Sequence, residues 1–237
     1  SEPTNVATQE VASNPDRYIG QTVTIRSEPI RKFGPNSFTA KDERVFGSEP
    51  ILILNASGKP FALPTDEDTE VQITGEVRRF VVADVEKEYN LGLEANTYQE
   101  YENKPAIIAR SVALSPKPGE ITKNPEQYYG KTLAVAGEVK DVPSTTAFTL
   151  DEDQLFGAED LLVLHTSPQA TPPRPIQDGE KVAVTGVLRP FIVAEFERDY
   201  DLTWSLDLKQ KLEAEYKNKP VLVATGVYPS AIPQSAQ

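Results

Sequence analysis

The chain has 237 residues, 24 of them basic and 36 acidic, with 20 prolines and neither cysteine nor methionine. No stretch approaches the run of about 18 apolar residues that a membrane-spanning helix needs, and without sulfur there are no disulfides, thiolate nucleophiles, iron–sulfur clusters or cysteine-ligated zinc. A net charge of −12 makes the average surface repel phosphate, which disfavours generic nucleic-acid binding, because that draws on clustered Lys and Arg.

The opening SEPTNVATQE is polar and lacks the apolar core of a signal peptide. It is predicted as a flexible tail over residues 1–9, of the kind left behind when a leader is removed. Asn14-Pro15 places an N-cap residue ahead of a proline at the first helical position. Val23 and Ile25 alternate with polar residues and predict a half-buried strand, a second strand surrounds Phe38, and ILIL (51–54) is short and apolar throughout, as in a strand covered on both faces. Val71, Ile73 and Val77 alternate again around Gly75, where a glycine inside a strand marks a bulge or sharp coiling. Val82, Val85 and Tyr89 are spaced for one helix face, and AIIARSV supplies a fifth strand.

The same order then recurs. NPDRYIGQTVTI (14–25) and SFTAKDERVFGSEPILIL (37–54) align at an offset of 110 with NPEQYYGKTLAV and AFTLDEDQLFGAEDLLVL. VQITGEVRRFVVADVEKEYNL (71–91) aligns at 111 with VAVTGVLRPFIVAEFERDYDL, and YENKPAIIARSV at 115 with YKNKPVLVATGV. This reads as a tandem duplication. The expected division is domain 1 over 10–115, a linker at 116–119, domain 2 over 120–229 and a flexible tail over 230–237. The four extra residues of the second copy fall in TWSLDLKQKLEAEYKNKP and are expected to lengthen its helix by one turn.

Five strands per copy, a G-x-x-V-x-V start and a V-x-V-x-G-x-V fourth strand resemble the OB-fold over about 100 residues of each copy. The expected fold class is therefore mainly β with short helices: two OB-like five-stranded barrels in tandem. One departure stands out. OB-folds usually carry their helix between strands 3 and 4, but those segments here are NASGKPFALPTDED and HTSPQATPPRP, too proline-rich to be helical, and the helix falls between strands 4 and 5. The NP-x-x-Y-x-G start and the F-T-L-D-E-D-x-x-F-G centre also resemble uncharacterised bacterial exported or lipid-anchored proteins. That likeness implies an extracytoplasmic home, in the periplasm or cell envelope, and no activity.

The OB resemblance implies that the loops after strands 1 and 4 form the binding rim. Copy one places Arg31, Lys32 and Phe33 on the first and Arg78, Arg79 and Phe80 on the second, whereas copy two has Lys140, Asp141 and Pro143 against Arg189, Pro190 and Phe191. Four cations beside aromatics make this rim the candidate site for an anionic or aromatic group. Trp204, the lone tryptophan, is a further candidate anchor for a partner, against burial under the longer helix. Asp151, Glu152, Asp153, Glu159 and Asp160 form the strongest acidic run and the candidate for a divalent cation, although the spacing is not that of an EF-hand. A solvated turn flanking a packed Phe-Gly is the competing reading. His165, alone and without cysteine, cannot build an ordinary zinc site and is expected in surface or loop packing. Carboxylates at Asp84/Glu86 and Glu195/Glu197 sit two apart, on different helix faces. Aromatics shared by the copies, Phe46/Phe156 among them, are expected to be scaffold.

These observations point to a non-catalytic extracytoplasmic binding or adaptor protein with no cofactor, its partner a protein or small anionic ligand, with no membrane span and a lipid anchor on the precursor as an option. The alternatives are single-stranded nucleic-acid binding, and a carboxylate-dependent hydrolase or divalent-cation binder.

Overall fold

The computed structural model describes residues 3–42, 46–61, 63–64, 69–151, 159–166, 175–202 and 204–229. The chain divides into two compact units, the first ending at Leu114 and the second starting at Ser115.

In the first unit, β2 (Thr22–Gly34) pairs antiparallel with β3 (Ser37–Lys41), and β3 with β4 (Ile51–Asn55). The strand β4 runs parallel to β6 (Pro105–Ser115), and β5 (Glu70–Arg79) joins β6 back to β2. The five strands close a ring in which the third and fifth are parallel. In the second unit β7 (Thr132–Val139), β8 (Ala147–Asp151), β9 (Leu161–His165), β11 (Pro220–Pro229) and β10 (Lys181–Pro190) close in the same order, with β9 and β11 parallel. The fold is mainly β and OB-like.

The period-two residues fill the barrel interiors: Val23, Ile25, Val71, Ile73, Val77, Leu133, Val135, Val184 and Leu188 have no exposed surface. The runs ILIL and LLVL are buried on both faces because helices cover the outside. Leu52 and Leu54 pack under Phe80, Tyr98 and Val85 of α3 (Val82–Tyr89), which is the predicted helix between the fourth and fifth strands. Leu162 and Leu164 pack under Phe191, Phe196 of α5 (Val193–Asp199), and Leu212 and Tyr216 of α6 (Leu206–Tyr216). Each such leucine contributes about 1.5–3 kcal/mol.

Several local expectations need correction. Residues 3–9 are structured: β1 (Thr4–Asn5) pairs parallel with β2, Val6 is buried, and α1 (Thr8–Ser13) buries Val11. The polar composition concealed two apolar anchors. The proposed linker likewise ends inside α4 (Pro118–Lys123), which buries Pro118, Gly119 and Ile121. Asn14 precedes only the four-residue α2 (Pro15–Tyr18), and its side-chain amide donates to Glu10 (3.2 Å) instead of capping; Pro125–Gln127 is a single 3-10 turn. The extra residues of the second unit do not extend α5. They build the separate helix α6, N-capped by Ser205, where the first unit has only the 3-10 turn Gln99–Tyr101. Residues 230–237 lie outside the described residues.

Candidate functional site

The strand β2 is 13 residues long against 8 for its counterpart β7, and two register shifts, between Pro29 and Arg31 and between Lys32 and Gly34, bracket its last two cations. Bulges of this kind re-aim side chains. The Arg31 guanidinium stands 4.6 Å from the Phe33 ring centroid, and the Lys32 ammonium 5.3 Å from that of Phe61. Phe33 is braced by Tyr98 at 5.7 Å and Tyr101 at 5.6 Å, and Phe61 by Phe38 at 5.0 Å. At exposed sites such cation–ring pairs stabilise by about 0.5–1 kcal/mol. Among the described residues, neither cation has an acidic partner.

The remaining predicted rim residues are engaged elsewhere. Arg78 donates to Glu88 at 2.6 Å and lies 4.0 Å from Glu76; its hydrogen bond holds the Glu88 carboxyl below the usual carboxylate range. Arg79 donates to Asp16 (2.9 Å) and to the Asn103 carbonyl (2.7 Å). Phe80 has no exposed surface and packs 5.9 Å from Tyr98, so it belongs to the core and cannot touch a ligand. The expected group of four cations thus reduces to Arg31 and Lys32. At their matching positions the second unit has Asp141 and Val142, and Arg189 is held by Asp199 (2.9 Å) and the Tyr200 hydroxyl (3.0 Å). Trp204 is framework as well: its indole N–H donates to the Thr146 hydroxyl at 3.2 Å, and its ring lies 6.3 Å from Phe191.

In the acidic run, Glu152, Asp153 and Phe156 lie outside the described residues. Asp151 pairs with Lys140 (3.4 Å) and Glu159 with Lys219 (3.4 Å). Burial, and after it the neighbouring Asp151 carboxylate, push the Asp160 carboxyl up. Among the described residues, no three histidine or acidic side chains converge to hold a metal. Phe46 is fully exposed, which corrects the expectation that it is scaffold, whereas the Phe-Gly expected to pack in the second run lies outside the described residues. Among the described residues, three of the four helix carboxylates are occupied: Glu86 accepts the backbone N–H groups of Gly92 and Leu93, both at 2.9 Å, Glu197 meets Lys209 (2.7 Å) and Glu195 meets Arg189 (3.6 Å).

His165 ends β9 and is 4% exposed, so it is a core residue rather than a surface one. Its ring lies 5.8 Å from Phe148, and its Nδ1 has no hydrogen-bond partner among the described residues. Burial pushes its pKa down. The folded state therefore binds its proton less readily than the unfolded chain, whose histidine titrates near 6.5. The resulting stability is fully present above that value and is lost as pH falls toward the lower folded value, by at most about 1.4 kcal/mol per pH unit. His165→Asn, which installs the residue found at the matching Asn55, is expected to flatten the fall in melting temperature between about pH 6.5 and 5 relative to the parent. Parallel pH profiles for the two proteins would show that the imidazole does not titrate in this way.

Sequence reasoning missed the loop after β4. Asn55, also 4% exposed, donates its amide to the Lys59 carbonyl (2.8 Å) and accepts from the Ser57 N–H (3.1 Å) and hydroxyl (2.6 Å). That Asx turn sets the stretch leading to Phe61, the ring beneath Lys32. The N-A-S-G sequence carries its signature.

No protein-family model matches the chain, and no curated protein matches it. Among solved structures it is similar to one described as drosophila Unr CSD456, with 11% identity and a TM-score of 0.21, covering 70% of this chain and 56% of that one. The chain thus spans little more than half the length of that structure, and a likeness at this score carries no argument about activity. The OB-like assignment rests on the ring order and on the parallel third and fifth strands.

Proposed function

We propose that this is a non-catalytic binding or adaptor protein of the periplasm or cell envelope, and that its first unit holds an anionic partner on the Arg31–Lys32 face. One observation carries the reading. Two cations stand preset on aromatic rings without an acidic partner among the described residues, in a chain of 36 acids and 24 bases, and the second copy replaces them with Asp141 and Val142. Side chains already ordered on a ring lose less freedom when they bind, so more of the Coulomb attraction survives as affinity. Stacking of nucleic-acid bases needs open aromatic faces. Here Phe33 and Phe61 are each covered by a cation, which favours an acidic protein segment or small anion over single-stranded nucleic acid.

Fluorescence anisotropy with labelled poly-glutamate, dextran sulfate and oligo-dT tests this at low salt. Poly-glutamate is expected to bind, and Arg31→Glu/Lys32→Glu to weaken it by at least about tenfold, or ~1.4 kcal/mol. Binding of none of the three, binding of oligo-dT alone, or unchanged affinity in the double variant would overturn the proposal.

A further inference from the structure

The first unit also contains a half-open cleft of about 350 Å³. Its walls include Pro35 and Asn36 of the β2–β3 turn, Lys59 and Pro60 of the loop after β4, and Tyr89 and Leu91 at the end of α3. Among the described residues no Asp or Glu lines it, against the bias of a chain whose net charge is −12.

Its walls are tied together before any ligand arrives. The Asn36 side-chain amide donates to the Leu91 carbonyl at 3.0 Å, joining the turn to the segment after α3. Asn55 holds the loop that carries Lys59, and the Glu86 carboxylate fixes the turn just beyond Leu91 through Gly92 and Leu93. Two polar groups remain uncommitted among the described residues: the Lys59 ammonium and the side-chain oxygen of Asn36. The rest of the lining is a tyrosine ring, a leucine, an alanine, a glycine, two prolines and Asn55, whose side chain is already committed to Lys59 and Ser57. A preformed, mostly apolar cleft with a few convergent polar groups is the usual form of a small-ligand site, and this volume lies at the small end of the range, with room for roughly two residues.

We propose that this cleft takes the carboxylate end of a short peptide or N-acyl amino acid bearing an apolar side chain. The carboxylate meets Lys59, a ligand N–H donates to the Asn36 side-chain oxygen, and the side chain lies against Tyr89, Leu91 and the prolines. Each ligand feature answers one uncommitted feature of the wall. The assignment stands independently of the Arg31–Lys32 face.

Amide-resolved NMR on the full chain tests it, with N-acetyl-leucyl-leucine as the probe and its C-terminal amide as the control. The acid is expected to shift Asn36, Lys59 and Leu91 with a Kd below about 1 mM, and the amide to bind about tenfold more weakly. Lys59→Glu should erase that difference while leaving the rest of the spectrum in place. Arg31→Glu/Lys32→Glu should bind the probe as the parent does. Equal affinity for acid and amide, undiminished binding to Lys59→Glu, or no shift at the cleft would overturn the proposal, as would loss of binding in the Arg31/Lys32 variant alone. A longer peptide ending in the same two leucines separates the sources. Retained affinity identifies chain ends as the ligand, and lost affinity identifies the free small molecule.

Discussion

Gly75→Ala is expected to unfold the first unit or to lower its melting temperature by roughly 12 °C or more, from a cost of about 3 kcal/mol. A Cβ built at Gly75 would lie 2.7 Å from both the carbonyl carbon of Ile108 and the Cα of Ala109, and closer still to the Ile108 oxygen. All three are backbone atoms of β6, so no rotamer change relieves the clash, and β5 must move away from the strand that completes the ring. Gly186 occupies the same place in the second unit. Its Cβ would lie 2.8 Å from the Val223 carbonyl carbon, where β10 shifts register between Thr185 and Gly186. Gly34 provides the control: nothing lies within 4 Å of a Cβ there, and Gly34→Ala should leave stability almost unchanged. Thermal unfolding by circular dichroism reads Gly75→Ala, Gly186→Ala and Gly34→Ala. A Gly75→Ala protein melting with the parent would mean that the two strands do not approach as described.

Phe80→Ala carries the second large effect. Its ring is wholly buried between Leu52, Leu54, Tyr98 and Val85, and large-to-small changes at such positions cost about 3–5 kcal/mol. A rim residue that touched the partner would behave differently, losing affinity while sparing stability. The expected result is a large fall in melting temperature, with poly-glutamate affinity per folded molecule unchanged at a temperature where the variant remains native. Phe80→Leu, which keeps most of the volume, should show a smaller fall and the same affinity. Normal stability with weakened binding would return Phe80 to the rim and undo its placement in the core.

The fold was legible because its determinants are local and periodic. Val23 and Ile25, or Val182 and Val184, report an inward face by alternation alone, and the uninterrupted ILIL and LLVL report covered outer faces. The helix between the fourth and fifth strands was legible for the same reason, through Val82, Val85 and Tyr89. The site was much less so, because the fate of a surface charge depends on partners far along the chain. Arg78 is removed from the rim by Glu88 across the turn into α3, and Arg79 by Asp16, which precedes it by most of a domain. Lys32 meets its ring at Phe61, beyond β4, in a segment whose prolines read only as a loop. The same limit hid the burial of His165: LLVLH is a strand run with one residue to spare, and nothing in its spacing states whether the last side chain faces water. Comparison of the copies was the most informative guide to difference. It singled out Arg31, Lys32 and Phe33 with Arg78, Arg79 and Phe80, against Lys140, Asp141 and Pro143 with Arg189, Pro190 and Phe191; of those four cations, Arg31 and Lys32 are the two that the structure leaves without acidic partners among the described residues.

Residue-resolved amide shifts of the full chain during titration with poly-glutamate test the central claim most directly. Perturbation concentrated on residues 31–33, the facing strand at 38–39 and Phe61, with residues 141–143 unmoved, is expected. Shifts centred on the second unit, or none at the Arg31–Lys32 face, would contradict it.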